Sequence, residues 1–89
     1  MKYRKKPVVI EAVQYLPNEY IASNHAAAQE MLEHLKDCQG FYVTKEGIVI
    51  PTREGEHLAS PNDWIIRGIK GEYYPCKPDI FEMTYEAIE

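Results

Sequence analysis

The segment Pro51–Glu82, PTREGEHLASPNDWIIRGIKGEYYPCKPDIFE, decides the fold of this chain, because it holds the only Trp and most of the turn residues. Its apolar runs are short and rich in β-branched or aromatic residues, as is typical of strands. Its glycines lie between these runs, where tight turns often require a positive φ angle. The segment therefore predicts a succession of hairpins.

Turn residues divide the chain after Gly40 into five predicted strands. The strands are Phe41–Thr44, Ile48–Thr52, Glu56–Ala59, Trp64–Ile69 and Glu72–Lys77. The connections are Lys45-Glu46-Gly47 and Arg53-Glu54-Gly55, each ending in Gly, then Ser60–Asp63 with Pro at its second position, then Lys70-Gly71. All four connections are short, so antiparallel neighbours are expected throughout.

A two-residue Lys70-Gly71 turn sets the register of the last hairpin. It places Arg67 opposite Tyr74, Ile65 opposite Cys76 and Trp64 opposite Lys77. Each face of this hairpin then mixes polar and apolar groups.

The two ends of the chain predict one further strand each. Val8–Tyr15 is rich in Val and Ile, and its mainly aliphatic side, formed by Val8, Ile10, Ala12 and Gln14, is expected to face the core. Pro78–Glu82 is expected to form a single turn, in which Asp79 and Glu82 have the spacing of a capping box. A closing strand at about Thr84–Ile88 would follow and lie near Val8.

One amphipathic helix is predicted between Asn24 and Asp37. Its apolar residues recur at helical spacing and are Ala27, Ala28, Met31, Leu32 and Leu35. Ser23 or Asn24 can cap the first turn, and Gly40 can end the helix in the left-handed conformation. Glu19–Ala22 could add a turn at the start.

These elements predict a single α+β domain over residues 1–89. We expect a curled, mainly antiparallel sheet or partial barrel of six to seven short strands, covered by one helix. The chain has no linker, internal repeat or low-complexity tract that would suggest a second domain.

Composition and charge narrow the function classes. The chain has 89 residues and a net charge of −4, which disfavours nucleic-acid binding. No apolar run is long enough to span a membrane, and the basic start Met1–Lys6 is not typical of a signal peptide. Cys38 and Cys76 are far apart in the sequence and form no Cys-x-x-Cys motif, which is typical of proteins with reduced thiols. A cytoplasmic location is therefore expected.

Lys2–Tyr15 and Gly55–Glu86 resemble a group of small proteins encoded by phages and prophages of bacteria. That group has a Pro-Gly-Asp-Tyr or Pro-Gly-Asp-Trp turn, a strand similar to Ile-Ile-Arg-Gly, and a segment Tyr-Pro-Cys-Lys-Pro-Asp-Ile-Phe-Glu. Here Asn62 replaces the Gly of the turn, and Asn tolerates positive φ better than most residues. The resemblance implies a phage-type origin and a cytoplasmic setting, and it implies no particular activity.

Two groups of residues are candidates for metal or catalytic chemistry. His34 and Cys38 have the i, i+4 spacing of half a zinc site, but no second pair follows at ligand spacing. Cys76, His57 and Asp63 could act as nucleophile, base and orienting group, but Cys76 lies within a predicted strand and lacks a Gly-rich oxyanion loop. The sequence therefore predicts a protein without metal, cofactor or enzymatic activity.

A cluster in which charged and aromatic residues alternate is the main candidate site. It contains Arg53, His57, Asp63, Trp64, Arg67, Tyr73, Tyr74 and Lys77. One interpretation is a core rim, with Trp64 as a core or cavity anchor and with a partly buried Arg67 stacked on Tyr74. In that arrangement the guanidinium would bond a carboxylate of Glu54, Glu56 or Glu72. The other interpretation is a binding surface, because Tyr, Trp and Arg are enriched at hot spots.

Three hypotheses of function follow. The favoured one is a non-enzymatic accessory protein that binds a host or phage protein. The second is a module that binds or sequesters a small anionic ligand or nucleotide through Arg53, His57, Arg67 and Lys77. The third is nucleic-acid binding through the basic residues Lys2–Lys6, and self-association is left open.

Overall fold

A computed structural model describes residues 1–4 and 6–88. In these residues the elements are β1 (Glu11–Gln14), α1 (Asn18–Ser23), α2 (His25–His34), β2 (Tyr42–Val43), β3 (Ile48–Thr52), β4 (Gly55–Ala59), β5 (Trp64–Arg67), β6 (Tyr73–Cys76) and α3 (Pro78–Thr84). The strands form two three-stranded antiparallel sheets, with the orders β1-β5-β6 and β2-β3-β4. The predicted α+β class is confirmed. The sheets do not close into a barrel, and the prediction of one helix is wrong.

The first sheet, β1-β5-β6, is buried on both sides of its central strand. Ile65 and Ile66 are adjacent in β5, point to opposite faces, and are both completely buried. Ile65 belongs to the main core with Met31 of α2 and with Leu35, the residue after α2, so this side is called the core face. Trp64 shares the opposite side with Ile66, and Phe81 of α3 stacks on it, so this side is called the outer face.

The second sheet, β2-β3-β4, supplies the rest of the main core. Ile48 and Ile50 of β3 and Ala59 of β4 are buried in it. β3 and β4 have the predicted residues, apart from Gly55, which belongs to β4. Gly47 is required before β3, because a Cβ atom there would collide with the carbonyl oxygen of Ala59.

The turn between the two sheets has the predicted chemistry. The Asp63 N–H donates to the Ser60 carbonyl over 3.0 Å, which closes the turn. Asn62 has a φ angle of 79°, the positive value that the third position of a type II turn requires. The Tyr15 N–H donates to the Asp63 carbonyl over 2.8 Å, so this turn is also tied to the end of β1.

The first strand is shorter than predicted and its core side is the opposite one. β1 begins at Glu11, and Val13 packs against the main core, while Tyr15 is buried within it. Ala12 lies opposite Ile66 and therefore belongs to the outer face. The aliphatic pattern was misleading because both faces of this sheet are covered.

The predicted helix corresponds to α2, and the segment that could add a turn at its start forms a separate helix, α1, which ends before Asn24. This residue is extended, with φ −125° and ψ 98°, and its side chain accepts a hydrogen bond from the Ala27 N–H, which confirms it as the cap of α2. Leu32, assigned to the apolar stripe, is 63% exposed. Gly40 has a φ angle of 84°, but α2 ends at His34, so Gly40 is part of a later turn and does not cap the helix.

The register of the β5–β6 hairpin differs from the prediction by one residue. Arg67 lies opposite Tyr73, and Trp64 lies opposite Cys76. The connection is longer than Lys70-Gly71, because the Gly68 N–H donates to the Glu72 carbonyl over 2.7 Å and the intervening residues form the loop. Arg67 and Tyr73 therefore share the core face.

The C-terminal region forms a helix in place of the predicted turn and strand. α3 begins at Pro78, with Lys77 as its N-cap residue, so Asp79 and Glu82 do not form a capping box. Residues 85–88 belong to no strand. They nevertheless lie near Val8, as expected, because both segments line the same cavity. No helix in the described residues has the length and apolarity needed to cross a bilayer.

His34 joins α2 to the first sheet. Its Nε2 atom lies 2.8 Å from the Ile65 carbonyl oxygen, and its own carbonyl accepts a 2.7 Å hydrogen bond from the Tyr73 hydroxyl. A carbonyl oxygen only accepts, so the imidazole donates this hydrogen bond, and α2 is tied to β5 and β6 at one residue.

The half-buried position of the His34 ring predicts a pH dependence of stability. Burial lowers the pKa of His34 below its ordinary value of 6.5, so the unfolded chain binds the proton more readily than the folded one. Stability should be fully present above about pH 6.5 and should decrease as the pH falls towards the lower folded-state pKa. Melting temperatures measured between about pH 7.5 and 5 should therefore decline on acidification.

Replacement of His34 by Gln should lower the melting temperature at neutral pH and flatten its decline. The matched control is His25→Gln, at the exposed start of α2, which should keep the wild-type slope. An unchanged slope in His34→Gln would show that another group causes the acid sensitivity.

Candidate functional site

The structure distributes the predicted site residues over four places. Arg53, His57 and Tyr74 line a cleft between the two sheets, Asp63 and Lys77 form an ion pair, Trp64 lies on the outer face, and Arg67 lies beside Tyr73 on the core face. The charged and aromatic cluster is therefore not one continuous site.

Arg67 is held by groups other than those predicted. Its Nη2 atom lies 3.2 Å from an oxygen of Asp37, its Nη1 atom lies 4.0 Å from Glu11, and its guanidinium carbon lies 5.6 Å from the centre of the Tyr73 ring. The side chain is 30% exposed, so the partly buried and paired state is confirmed. The predicted contact with Tyr74 is wrong because of the register difference, and the predicted carboxylates Glu54, Glu56 or Glu72 are wrong because Asp37 and Glu11 hold the guanidinium.

Asp63 and Lys77 connect the inter-sheet turn to the start of α3. Asp63 is 3% exposed, its carboxylate accepts a hydrogen bond from the Ser60 N–H over 2.9 Å, and Lys77 Nζ lies 3.0 Å away. A buried carboxylate requires such partners. The charge of Lys77 is therefore used for structure, as is that of Arg67.

The inter-sheet cleft has the volume of a small-molecule site, about 680 Å³. The basic side chains that line it are Arg53 and His57, and the acidic ones are Glu54, Glu72 and Asp37, the last of which pairs with Arg67. The negative charges of Glu54 and Glu72 outnumber the one positive charge of the Arg53 guanidinium. This charge balance does not favour the binding of an anion.

A second cavity system lies between the two chain termini and is called the terminal groove. Two adjoining cavities of about 240 and 410 Å³ share the lining residues Val8, Val9, Tyr85, Glu86 and Ile88. The smaller cavity is also lined by Ile10, Ala12, Trp64, Phe81 and Ala87. Every residue that lines this smaller cavity is apolar or aromatic except Glu86.

Three aromatic rings form one side of the terminal groove. Trp64 and Phe81 are stacked, with ring centres 4.2 Å apart and planes 7° apart, and Tyr85 follows at 5.1 Å from Phe81. Tyr74 is close by: burial first, and then the neighbouring Tyr85, raise the pKa of its hydroxyl. The cavity-anchor role predicted for Trp64 agrees with this half-buried position.

Sequence reasoning missed most of this groove. Val9 is 71% exposed and Ile88 is 74% exposed, although both were assigned to strands. The available signal was the presence of apolar residues in both terminal segments, one of which begins with a Pro that cannot join a central strand.

The residues considered for metal or catalytic chemistry are not assembled into a site. Within residues 1–4 and 6–88 no group of three or more His, Cys, Asp and Glu could hold a metal ion. Burial raises the pKa values of the Cys38 and Cys76 thiols, which makes both weaker nucleophiles. Cys76 does not line the cleft that contains His57, and Asp63 is paired with Lys77.

Comparisons with family models, curated proteins and solved structures give no match.

The stacking geometry predicts that Trp64 contributes to stability. Trp64→Ala removes the contact with Phe81 and opens the outer face above Ile66. Because Trp64 is only half-buried, we expect a loss of about 2–3 kcal/mol, below the roughly 3–5 kcal/mol typical of a fully buried Trp. Trp64→Phe should recover much of the loss, as measured by urea unfolding. Equal stability of Trp64→Ala and wild type would contradict the stacked position.

The Asp63–Lys77 pair predicts a rescue. Lys77→Met leaves the buried carboxylate without its cation, and we expect a loss of about 1–3 kcal/mol, since Lys77 is 62% exposed and a fully buried pair would lose about 3–5 kcal/mol. Asp63→Asn removes the charge and keeps an acceptor for the Ser60 N–H. The double variant should therefore be more stable than Lys77→Met alone in urea unfolding. If the double variant is less stable than Lys77→Met, the Asp63 carboxylate does not depend on Lys77 for charge compensation.

Proposed function

We propose that this chain is a small non-enzymatic accessory protein that acts by binding a protein partner at the terminal groove. The observation that carries the proposal is the exposure of Val9 and Ile88 on either side of a half-buried Trp64. Apolar surface of this kind is costly in water and marks interaction sites. Trp64, Phe81 and Tyr85 supply the rigid aromatic area that is enriched at binding hot spots.

The groove is also a place where side chains without partners among the described residues are exposed. Arg67 and Lys77 are engaged in ion pairs within the chain, whereas the apolar side chains at the termini are exposed. Burial of a Val or Ile side chain by a partner contributes about 1.5–3 kcal/mol. Two such anchors beside an aromatic pocket would support a specific, moderately strong association.

A phage-type origin and a cytoplasmic setting are part of the proposal, on the strength of the sequence resemblance alone. The turn motif that carries this resemblance, Pro61-Asn62-Asp63-Trp64, lies next to the groove through Trp64. A host or phage protein is accordingly the partner class that we propose.

The cleft between the sheets supports a second, less favoured function. Its volume of about 680 Å³ suits a small ligand. An anion is disfavoured there, because Arg67 and Lys77 are already paired and Glu54 and Glu72 oppose Arg53. Nucleic-acid binding through Lys2–Lys6 ranks third, because the net charge of −4 opposes it.

The proposal predicts that a single substitution in the groove abolishes binding of the partner. Val9→Asp places a charge beside Trp64 and should abolish retention of a partner captured from a bacterial lysate. Val43→Asp is the matched control, because Val43 is similarly exposed, at 62%, but lies on β2 of the second sheet. This control variant should retain the same protein as wild type, as measured by quantitative mass spectrometry of parallel captures.

The outcome that contradicts the proposal is equal retention by Val9→Asp and Val43→Asp. Thermal unfolding of both variants would show whether each remains folded, and the exposure of both side chains predicts small changes. A captured protein that depends on Arg53 and His57, and not on Val9, would instead assign the function to the cleft.

A further inference from the structure

The terminal groove has two walls that differ in charge. The N-terminal wall is formed by Lys6–Ile10 and the C-terminal wall by Tyr85–Ile88. Lys6 lines the first and Glu86 lines the second, and each is accompanied by exposed apolar residues. Within the described residues no backbone hydrogen bond joins the two walls.

The charges of the two walls extend beyond the groove. Lys2 and Arg4 precede Lys6 on the basic side, and Glu82 on α3 precedes Glu86 on the acidic side, all of them exposed. Lys6 and Glu86 line the same cavity but form no ion pair with each other or with another described residue. Each wall is therefore the chemical complement of the other, in both charge and apolarity.

We propose that the groove is occupied by a second copy of this chain, in a two-fold dimer in which the basic wall of each copy lies against the acidic wall of the other. This inference rests on the proposed function, and at the same site it narrows the partner from a host or phage protein in general to a second copy of this chain. A two-fold axis pairs every contact with its reciprocal, so a surface with one basic and one acidic wall is complementary to itself. Lys6 of one copy then faces Glu86 of the other, twice in each dimer.

The apolar residues complete the complementarity. Val9 and Ile88 lie on different walls, so the same axis brings each against the other wall of the second copy. Rim ion pairs contribute little each, so the apolar contacts supply most of the affinity and the charges set the orientation. Association should consequently weaken, but not vanish, at high salt.

Reciprocal charge reversal tests this arrangement. Lys6→Glu creates two repulsive pairs in its own homodimer, and Glu86→Lys does the same with the opposite sign. We expect sedimentation equilibrium to show self-association about ten- to a hundredfold weaker for each variant than for wild type. An equimolar mixture should associate again, because in the mixed dimer both cross-copy pairs are attractive. An interaction within one chain would not produce this recovery.

Matched controls use charges remote from the groove. Lys45→Glu and Glu46→Lys alter the exposed turn before β3 and should leave self-association at the wild-type level, alone and mixed. Circular dichroism of all variants would establish that the fold is retained.

Two results would overturn the inference. One is a wild-type protein that remains monomeric up to about 1 mM, and the other is a mixture of Lys6→Glu and Glu86→Lys no more associated than either variant alone. If the wild type is monomeric but captures another protein that Val9→Asp fails to retain, the dimer is wrong and the proposed function still holds. If the wild type is monomeric and Val9→Asp also retains captured protein as well as Val43→Asp does, the groove is not a binding site.

Discussion

Burial of β5 on both faces is the constraint on which the rest of this structure depends. Ile65 and Ile66 are adjacent and completely buried, so each side of the first sheet must be covered by another layer. Helix α2 and the second sheet cover Ile65, and the outer face with Ile66 is covered by α3 and the chain termini. A small chain thus covers one strand with two layers, and few residues remain to complete the layer on the outer face.

The polar groups near this strand are used to hold the layers together. Asp37 pairs with Arg67 and connects the segment after α2 to β5, while Asp63 and Lys77 connect the inter-sheet turn to α3. His34 joins α2 to the Ile65 carbonyl. These residues resemble a binding cluster in the sequence, but their partners lie within the chain. The incomplete outer layer, by contrast, leaves apolar side chains accessible for interaction.

The terminal groove is a direct consequence of that incomplete layer. Helix α3 has seven residues, and its Phe81 covers Trp64, whereas Ala12 of the edge strand β1 still lines an open cavity. The two terminal segments border this cavity without backbone hydrogen bonds between them. A further element, supplied by a partner, would complete the layer, so fold and proposed function have the same physical origin.

Local sequence was sufficient where the structure depends on neighbouring residues. The Ser60–Asp63 turn, the Asn24 cap and the limits of β3 follow from backbone preferences, and they agree with the structure. The α+β class follows from the same signals. The half-buried position of Trp64 could also be inferred, because a Trp next to a tight turn in a small domain is rarely left fully exposed.

Only the tertiary structure decided which side of β1 faces the core, the register of β5 and β6, and the separation of the cluster into distinct sites. A sheet covered on both sides has no alternation that distinguishes its faces, so Val13 and Ala12 are equivalent in sequence. The loop of this hairpin is one residue longer than the predicted Lys70-Gly71 turn, and this shifts the register of every pair, so that Arg67 lies opposite Tyr73 and not Tyr74. The groove itself arises from two segments at opposite ends of the chain, and their proximity is a property of the packed layers that no local pattern encodes.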